Sequence, residues 1–389
     1  MLTLKEAEEL LNSCLPAKKK IFLPPEEALG SVLAEDIIDP RPSPPAPRAL
    51  MDGFALSSAL AASRRGRLAV AGMALAGEPQ KTLVPQTAME IATGAILPLG
   101  ADAVVAYEEA CRQGHEVELS FLPLSSHHVE QTGAQHAAGA VVLDAGTELK
   151  APAIAALASA GRDKAPVWAR PKVALLATGD EILPLGIPAA GHQVYASHGP
   201  AMVSALRKKG YDAQASLCRD EPESLAKAME KNLLQSEVLL VTGGISKGRA
   251  DRVPSTLAAL GAEIIFREIA VRPGKPFLFA RCGDKAIFGL PGQPQSALIT
   301  FFRLVLPWLE KSQGKHVLPG RRYLKKGLIS SPAEGWTWFV PVQESEEGLV
   351  PAASASSGDW GALARSDGFV EVPAPVPQDA PLPFYPWGH

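Results

Sequence analysis

Threonine, serine, aspartate and lysine side chains recur at glycine-rich turns between residues 173 and 295, a combination that suits an anionic ligand. Four segments carry it: Thr178-Gly179-Asp180-Glu181, Thr242-Gly243-Gly244-Ile245-Ser246, Val271-Arg272-Pro273-Gly274-Lys275-Pro276 and Leu290-Pro291-Gly292-Gln293-Pro294. Glycines let backbone N–H groups approach an anion closely, and a helix starting after such a loop adds its positive end. Arg272 and Lys275 bring two cations to the same neighbourhood on a stiff turn. One glycine loop alone would be an ordinary connection. Four of them, carrying hydroxyls, a carboxylate and cations, read as a site for a phosphate-bearing ligand.

The elements that position these loops are legible as apolar runs. Val173-Ala174-Leu175-Leu176-Ala177, Val238-Leu239-Leu240-Val241 and Ala286-Ile287-Phe288-Gly289 each run straight into a glycine loop. Continuous apolar runs bounded by glycine are the pattern of strands buried on both faces of a parallel sheet. Ligands of such sheets bind outside the carboxyl ends of the strands, so the loops should form one site. Helices are expected over 200–209, 223–234, 254–260 and 296–309, which makes 173–309 a doubly wound, mostly parallel α/β unit. Thr3 and Glu6 form a capping box before the helical spacing of Leu4, Ala7, Leu10 and Leu11. Residues 32–40 and 66–143 read as short strands broken by Gly and Pro, and 151–161 as a small helix ended by Gly161. After Gly314 short strands are expected over 327–330, 337–342 and 368–372, and the proline-dense last fifteen or so residues as an extended tail. The expected fold class is therefore α/β plus β, in three parts. Residues 1–166 form an N-terminal region with a helical part and an inserted β module. Residues 167–313 form the ligand-binding α/β domain, and 314–389 a small β-domain with a Pro-rich tail.

Composition narrows the function. With 38 Lys and Arg against 41 Asp and Glu the net charge is −3, which lacks the basic face of a general nucleic-acid binder. No apolar stretch reaches the 18 or more residues of a membrane span, and the N-terminus is polar rather than secretory. Cys14, Cys111, Cys218 and Cys282 are scattered without metal-type pairing, as expected of free thiols in a reducing cytoplasm. Proline is dense at 35 residues, and five lie between Pro40 and Pro47, making that stretch a semi-rigid extended segment.

The four loop segments, with Ala250-Asp251 after the second, resemble the pterin-binding domain of the MoeA/gephyrin E-domain family. Upstream, Met51-Asp52-Gly53-Phe54-Ala55 resembles its Met-Asp-Gly-Tyr-Ala signature, and Ile91-Ala92-Thr93-Gly94-Ala95 with Gly100-Ala101-Asp102-Ala103-Val104-Val105 its Thr-Gly-Ala segment. The match is collinear from about residue 4 to about residue 373. The resemblance implies a molybdopterin molybdenumtransferase that inserts molybdate into adenylylated molybdopterin with release of AMP. It implies Mg²⁺, an elongated homodimer with the site at the subunit boundary, and a molybdopterin adenylyltransferase as the partner supplying the pterin. Carried over by position, Asp52, Asp180, Asp251 and Lys275 are the catalytic candidates, with Asp180 and Asp251 the Mg²⁺ ligands. Thr93, Thr178, Gly179, Gly243, Gly244, Ser246, Arg267, Arg272, Pro291 and Gly292 are the substrate-binding candidates. Arg267 and Arg272 stand where the family commonly shows lysines, and their charge still suits an anionic substrate.

The chain also departs from the family pattern. Glu130-Gln131-Thr132-Gly133-Ala134-Gln135 stands in place of Arg-Arg-x-Gly-Glu-Asp, and Ala153 in place of a helix-opening Glu. Arg249 replaces a Glu, Tyr195-Ala196-Ser197-His198 replaces Tyr-Asp-Ser/Thr-Asn, and Trp336 and Pro341 replace arginines. The loops are intact while part of the acidic set is missing. A second reading follows: a non-catalytic or weakly active molybdopterin-binding homologue acting as carrier, scaffold or regulator. Other signals lead nowhere. Gly243 and Gly248 have P-loop spacing, but Arg249-Ala250 stands where Lys-Ser/Thr must lie. His127, His128 and His136 lack Cys partners and helical spacing, so they read as a solvated loop. No Gly-x-Ser-x-Gly elbow occurs. Trp308, Trp336, Trp338, Trp360 and Trp387 read as packing.

Overall fold

Strands with apolar side chains on both faces need cover on both faces, and the computed structural model supplies it. The structure describes residues 1–246, 251–315, 319–322, 329–346, 348–353, 356–376 and 381–388. The chain forms two compact units. One comprises Met1–Phe22, Gly30–Ala34 and Pro166–His389, the other Leu23–Leu29 and Glu35–Ala165.

In the first unit the elements follow in chain order: α1 (Leu4–Ser13), β1 (Val173–Thr178), α2 (His198–Lys208), β2 (Ala213–Cys218), α3 (Pro222–Gln235) and β3 (Val238–Thr242). Then come α4 (Val253–Ala259), β4 (Glu263–Glu268), β5 (Pro276–Cys282), β6 (Lys285–Leu290), α5 (Pro294–Thr300) and α6 (Leu306–Ser312). They build a six-stranded sheet in the order β2-β1-β3-β6-β5-β4, parallel from β2 to β6 and antiparallel from β6 to β4. Alternation along each strand divides the core in two. Val173, Leu175, Val238, Leu240 and Phe288 pack with Met202 and Leu206 of α2 and with Leu4, Ala7 and Leu11 of α1. Ala174, Leu176, Leu239, Val241 and Ile287 face the other way, onto Leu225 and Met229 of α3 and Leu257 of α4. Each such fully buried Leu or Phe stabilises the fold by roughly 1.5–3 kcal/mol.

The capping box forms as expected: Glu6 N–H donates to Thr3 Oγ1 at 3.3 Å while Thr3 N–H donates to Glu6 Oε2 at 2.8 Å. The single helix expected over 296–309 is instead composite. It starts at Pro294, widens into a π turn at Phe301–Val305 and resumes as α6. Pro307 lacks the N–H that would bond the Arg303 carbonyl, and the wide turn sits directly before it.

A second sheet in this unit joins Thr337–Ser345, Gly368–Pro373, Leu382–Pro386 and Gly320–Arg322, with Gly348–Pro351 as a hairpin partner. Two expectations change here. The tail is not simply extended, because Leu382–Pro386 adds a strand to Gly368–Val370 by antiparallel pairing. The strand expected over 327–330 is absent at Ile329 and Ser330, while Gly327 and Leu328 lie outside the described residues. Residues 377–380 of the tail, and Lys247, Gly248, Arg249 and Ala250, also lie outside them.

In the second unit a six-stranded sheet runs in the order Ala103–Ala106, Gly53–Leu56, Thr87–Ile91, Arg67–Ala74, Glu116–Leu119, Ala110–Gln113. Arg48–Ala49 pairs with Val129–Glu130, Ile37–Asp39 with Ala140–Leu143, and a helix covers Ala151–Ser159. Gly53 is fixed by packing: a Cβ there would lie 2.0 Å from the Val105 carbonyl oxygen.

Candidate functional site

In the α/β sheet, chain order reverses at β1: β2 lies on one side of it and β3 on the other. The loops leaving β1 and β3 therefore diverge and open a crevice beyond the strand ends, the place where ligands bind in open α/β sheets. Thr178 ends β1 buried, and its hydroxyl donates to Asp220 Oδ1 at the end of the neighbouring β2 strand. Asp220 N–H in turn donates to Asp180 Oδ1 at 3.2 Å, so the first loop is tied to the β2 end by side-chain and backbone bonds.

The second loop closes against the first. Gly243 has φ +92°, and a Cβ on it would stand 2.4 Å from the Thr178 carbonyl oxygen. A Cβ on Gly244 would meet Val253 Cγ2 at 3.0 Å and Thr178 Cγ2 at 3.4 Å, with Asp220 Oδ1 at 4.0 Å. The third loop reaches the same point, since Gly243 N–H donates to the Leu290 carbonyl at 3.1 Å and a Cβ on Gly292 would meet Gly243 Cα at 3.7 Å. Pro291 is buried between them. Thr178, Gly243, Gly244 and Gly292 thus meet at one spot, while Gly179, the next residue after Thr178, turns toward the β2 end, its N–H donating to the Cys218 carbonyl at 3.4 Å.

The charged candidates are placed less evenly. Asp180 is exposed at the rim. Asp251 lies two residues before α4, whose Val253 N–H donates to the Gly244 carbonyl at 3.1 Å, which keeps Asp251 near the second loop. The Arg267 guanidinium donates to the Ser246 carbonyl at 3.3 Å, and both line a cavity of about 260 Å³ with Ile245, Phe266 and Pro276. Arg272 goes elsewhere. Val271–Arg272 forms a short parallel strand with Thr337–Trp338 of the C-terminal sheet, and its guanidinium lies 5.5 Å from the Trp338 ring. Lys275 is exposed, one residue past Gly274, where a Cβ would meet Thr300 Cγ2 of α5 at 2.5 Å. The fourth segment therefore abuts the helix that follows the Gly292 loop.

Sequence reading missed Asp220. It follows β2, whose loop carries no glycine, so no motif marks it. Its effect is visible at Cys218, whose thiol is pushed up by burial first and then by Asp220, Glu221 and Asp180. Those acidic groups make the end of the β1–β2 pair an oxygen-rich, negative corner. His198, marked in the sequence only as a departure from the family pattern, opens α2 with 8% exposure, its ring edge against Trp360 and its Nε2 without a hydrogen-bond partner. Burial alone lowers its pKa from 6.5 to about 4. The fold thus favours neutral imidazole, and the unfolded chain takes up the proton first as pH falls. Stability supplied above pH 6.5 is expected to be lost between pH 6.5 and 4, by up to roughly 3 kcal/mol. Urea midpoints at pH 7.5 and 4.5 should show the loss in the wild type and a smaller one in His198→Gln. Equal pH dependence in the two proteins would refute it.

In the second unit two candidates form a pair of their own. Asp52 Oδ1 accepts from Thr93 N–H at 2.6 Å and from Thr93 Oγ1 at 2.9 Å, and these bonds hold its carboxyl below the usual carboxylate range. The segment that departs from the family pattern is internally satisfied. Gln135 accepts from Ser43 Oγ at 2.8 Å and donates to Glu130 Oε1 at 3.0 Å, while Glu130 pairs with Arg48 at 2.7 Å. An aspartate at 135 would face the Glu130 carboxylate with no proton to donate. The His127 and His128 rings are half-buried beside Glu109, whereas His136 lies 3.4 Å from Asp39. The expectation of a solvated histidine loop is therefore corrected. A lone sequence cannot show that a distant glutamate comes back to those rings.

Residues 2–161 match the family model described as MoeA N-terminal region (domain I and II), and residues 174–311 that of a probable molybdopterin binding domain. A molybdopterin molybdenumtransferase of Synechocystis sp. is 30% identical over 402 residues, covering 100% of both chains. One of Haemophilus influenzae is 34% identical over 320 residues, covering 81% of this chain and 78% of its own. The crystal structure of a molybdopterin biosynthesis MoeA protein from Pyrococcus horikosii superimposes with a TM-score of 0.85 at 31% identity, covering 100% of each chain.

Proposed function

This chain belongs to the MoeA family of molybdenum cofactor biosynthesis, and from that premise we propose that it is a Mg²⁺-dependent molybdopterin molybdenumtransferase taking adenylylated molybdopterin and molybdate and releasing AMP. One observation carries the reading to named atoms: Thr178, Gly243, Gly244 and Gly292 converge where chain order reverses at β1. There the close-packed glycine backbone takes the pterin phosphates, Thr178 and Pro291 shape the floor, and Gly179 turns the chain so that Asp180 stands at the rim. Ser246 and Arg267 line the adjoining cavity and hold a second anionic part of the substrate, with Lys275 adding positive charge from the fourth segment, while Arg272 is drawn off to Trp338.

The chemistry of the corner suits Mg²⁺, which usually takes one or two carboxylates plus substrate phosphate: Asp180 is exposed at the rim of a negative end shared with Asp220, and Asp251 lies near the second loop. Asp180 and Asp251 would hold the ion with Asp220 behind them, and the bound ion supplies charge compensation on the pyrophosphate. Asp52, fixed by Thr93, serves the site from the other copy in a homodimer. The pterin arrives from a molybdopterin adenylyltransferase in the cytoplasm. No helix among the described residues is long and apolar enough to cross a membrane. Gln135, bonded to Ser43 and Glu130 where the family pattern is acidic, favours the second reading of a weakly active or non-catalytic carrier.

Restoration of molybdoenzyme activity in a strain lacking its own transferase decides between the two readings. Asp180→Asn is expected to lower turnover roughly 100-fold while the dissociation constant for the adenylylated pterin moves less than about threefold. Failure of the wild type to complement, with the pterin still bound, would establish the carrier. Full turnover in Asp180→Asn would remove Asp180 from the chemistry.

A further inference from the structure

His127, His128 and Glu109 lie in the second unit, and no step of the proposed transferase chemistry uses them. The two imidazoles are adjacent in sequence, and in a regular extended strand they would point to opposite faces. Here His128 adopts φ +50° and Ser126 φ +70°, left-handed conformations that non-glycine residues enter at a cost of order 1 kcal/mol or more each. The turn brings both rings to one side, centroids 4.1 Å apart, with Phe121 edge-on to His127 at 5.0 Å. Both Nε2 atoms address the same carboxylate oxygen: His127 lies 3.5 Å and His128 3.4 Å from Glu109 Oε2.

Those distances decide what the arrangement suits. They exceed the 2.7–3.2 Å of a good N–H···O bond. Ligand atoms about 2.0–2.1 Å from a tetrahedral ion stand roughly 3.3 Å from one another, which both separations match. We propose that Glu109, His127 and His128 form a three-ligand site for a borderline divalent cation of the Zn²⁺ class.

The donor chemistry points the same way. Two imidazoles with one carboxylate suit Zn²⁺ and are poor ligands for Mg²⁺, so this site is chemically distinct from the oxygen-only corner at Asp180. The same Glu109 Oε2 also accepts from Ala106 N–H at 3.2 Å, which fixes the carboxylate's orientation. The three side chains retain 29–33% exposure, leaving an entry path and a fourth position for water.

The placement also gives the ion a task. Leu50 N–H donates to the His128 carbonyl at 2.9 Å, and Tyr107 N–H, on the turn that carries Glu109, donates to the Asp52 carbonyl at 3.2 Å. Both ligand-bearing segments thus hold the Leu50–Asp52 turn through its backbone. An ion joining them would staple the two supports of Asp52 together.

Titration of the metal-stripped full-length protein with zinc chloride, followed by calorimetry, tests the site. One equivalent should bind with micromolar or tighter affinity, weakened at least 30-fold in the double variant His127→Gln/His128→Gln and at least tenfold in Glu109→Gln. Zinc should raise the melting temperature of the wild type and leave that of the double variant unmoved. Cobalt chloride offers a readout on the wild type alone, free of any folding defect: a four-coordinate site gives intense visible bands, while hydrated or six-coordinate cobalt gives weak ones. Weak bands, or zinc affinity unchanged by the double substitution, would overturn the proposal and leave the trio an ordinary imidazole–carboxylate contact.

Discussion

A Gly243→Ala chain is expected to lose at least roughly 100-fold in affinity for adenylylated molybdopterin and to be destabilised by about 2–4 kcal/mol. Two independent costs coincide at this residue. Its φ of +92° is one that L side chains rarely adopt, and its Cβ would fall 2.4 Å from the Thr178 carbonyl oxygen. The carbonyl cannot withdraw alone, because the Thr178 hydroxyl is bonded to Asp220 and Asp220 N–H to Asp180. Relieving the clash therefore pulls the first and second loops apart and displaces the rim carboxylates with them. Gly292→Ala is the control within the same site. Gly292 has no positive φ, and its Cβ would meet only Gly243 Cα at an ordinary 3.7 Å. That variant should stay within about 0.5 kcal/mol of the wild type. Denaturant midpoints and pterin titrations on both variants check the pair of expectations. Wild-type affinity in Gly243→Ala would mean that the ligand lies elsewhere.

The second large effect is expected at Arg303, outside the loops, in the π turn after α5. Arg303 is 7% exposed, with Nε 2.6 Å from Glu371 Oε2 and Nη1 2.7 Å from Glu8 Oε1. Its plane lies 5.2 Å from the Tyr385 ring, whose hydroxyl donates to Glu371 at 3.2 Å. Burial works against the guanidinium charge, but Glu371, Tyr385 and Glu8 outweigh it and hold Arg303 fully protonated. The residue sits in the π turn between α5 and α6, and through it helix α1 and two strands of the C-terminal sheet meet on one cation. Arg303→Met should cost about 3–5 kcal/mol, since it strands Glu371 beside a tyrosine hydroxyl with no countercharge. Adding Glu371→Leu should recover part of that loss, because the orphaned carboxylate goes with it. Urea denaturation of the single and double variants gives the comparison. A loss below about 1 kcal/mol in Arg303→Met would show that the triad contributes little beyond its packing.

Runs such as Val173–Ala177 and Val238–Val241 were enough to place buried parallel strands and the glycine loops after them. An uninterrupted apolar strand ending in glycine has few other physical solutions. The capping box at Thr3 and Glu6 and the helices after each strand were legible for the same reason, since those signals lie within a few residues of what they describe. The family motifs at Met51-Asp52-Gly53 and Ile91–Ala95 were equally visible. That Asp52 accepts both bonds of Thr93 was not, because 41 residues separate them.

What the tertiary structure alone decided are the meetings between segments that carry no mutual signal. Asp220 enters the site because β2 lies beside β1, and nothing in the Cys218-Arg219-Asp220 stretch announces it. Arg272 turns to Trp338 because a two-residue strand prefers a free sheet edge to an unpaired backbone. Glu109 reaches His127 and His128 through sheet pairing and two left-handed residues, and Arg303 gathers Glu8 and Glu371 from both ends of the chain. Local sequence determines backbone conformation and the faces to be buried, since those depend on neighbours along the chain. Which charges and ligands face one another depends on strand order and register, and these are settled only when the whole core closes.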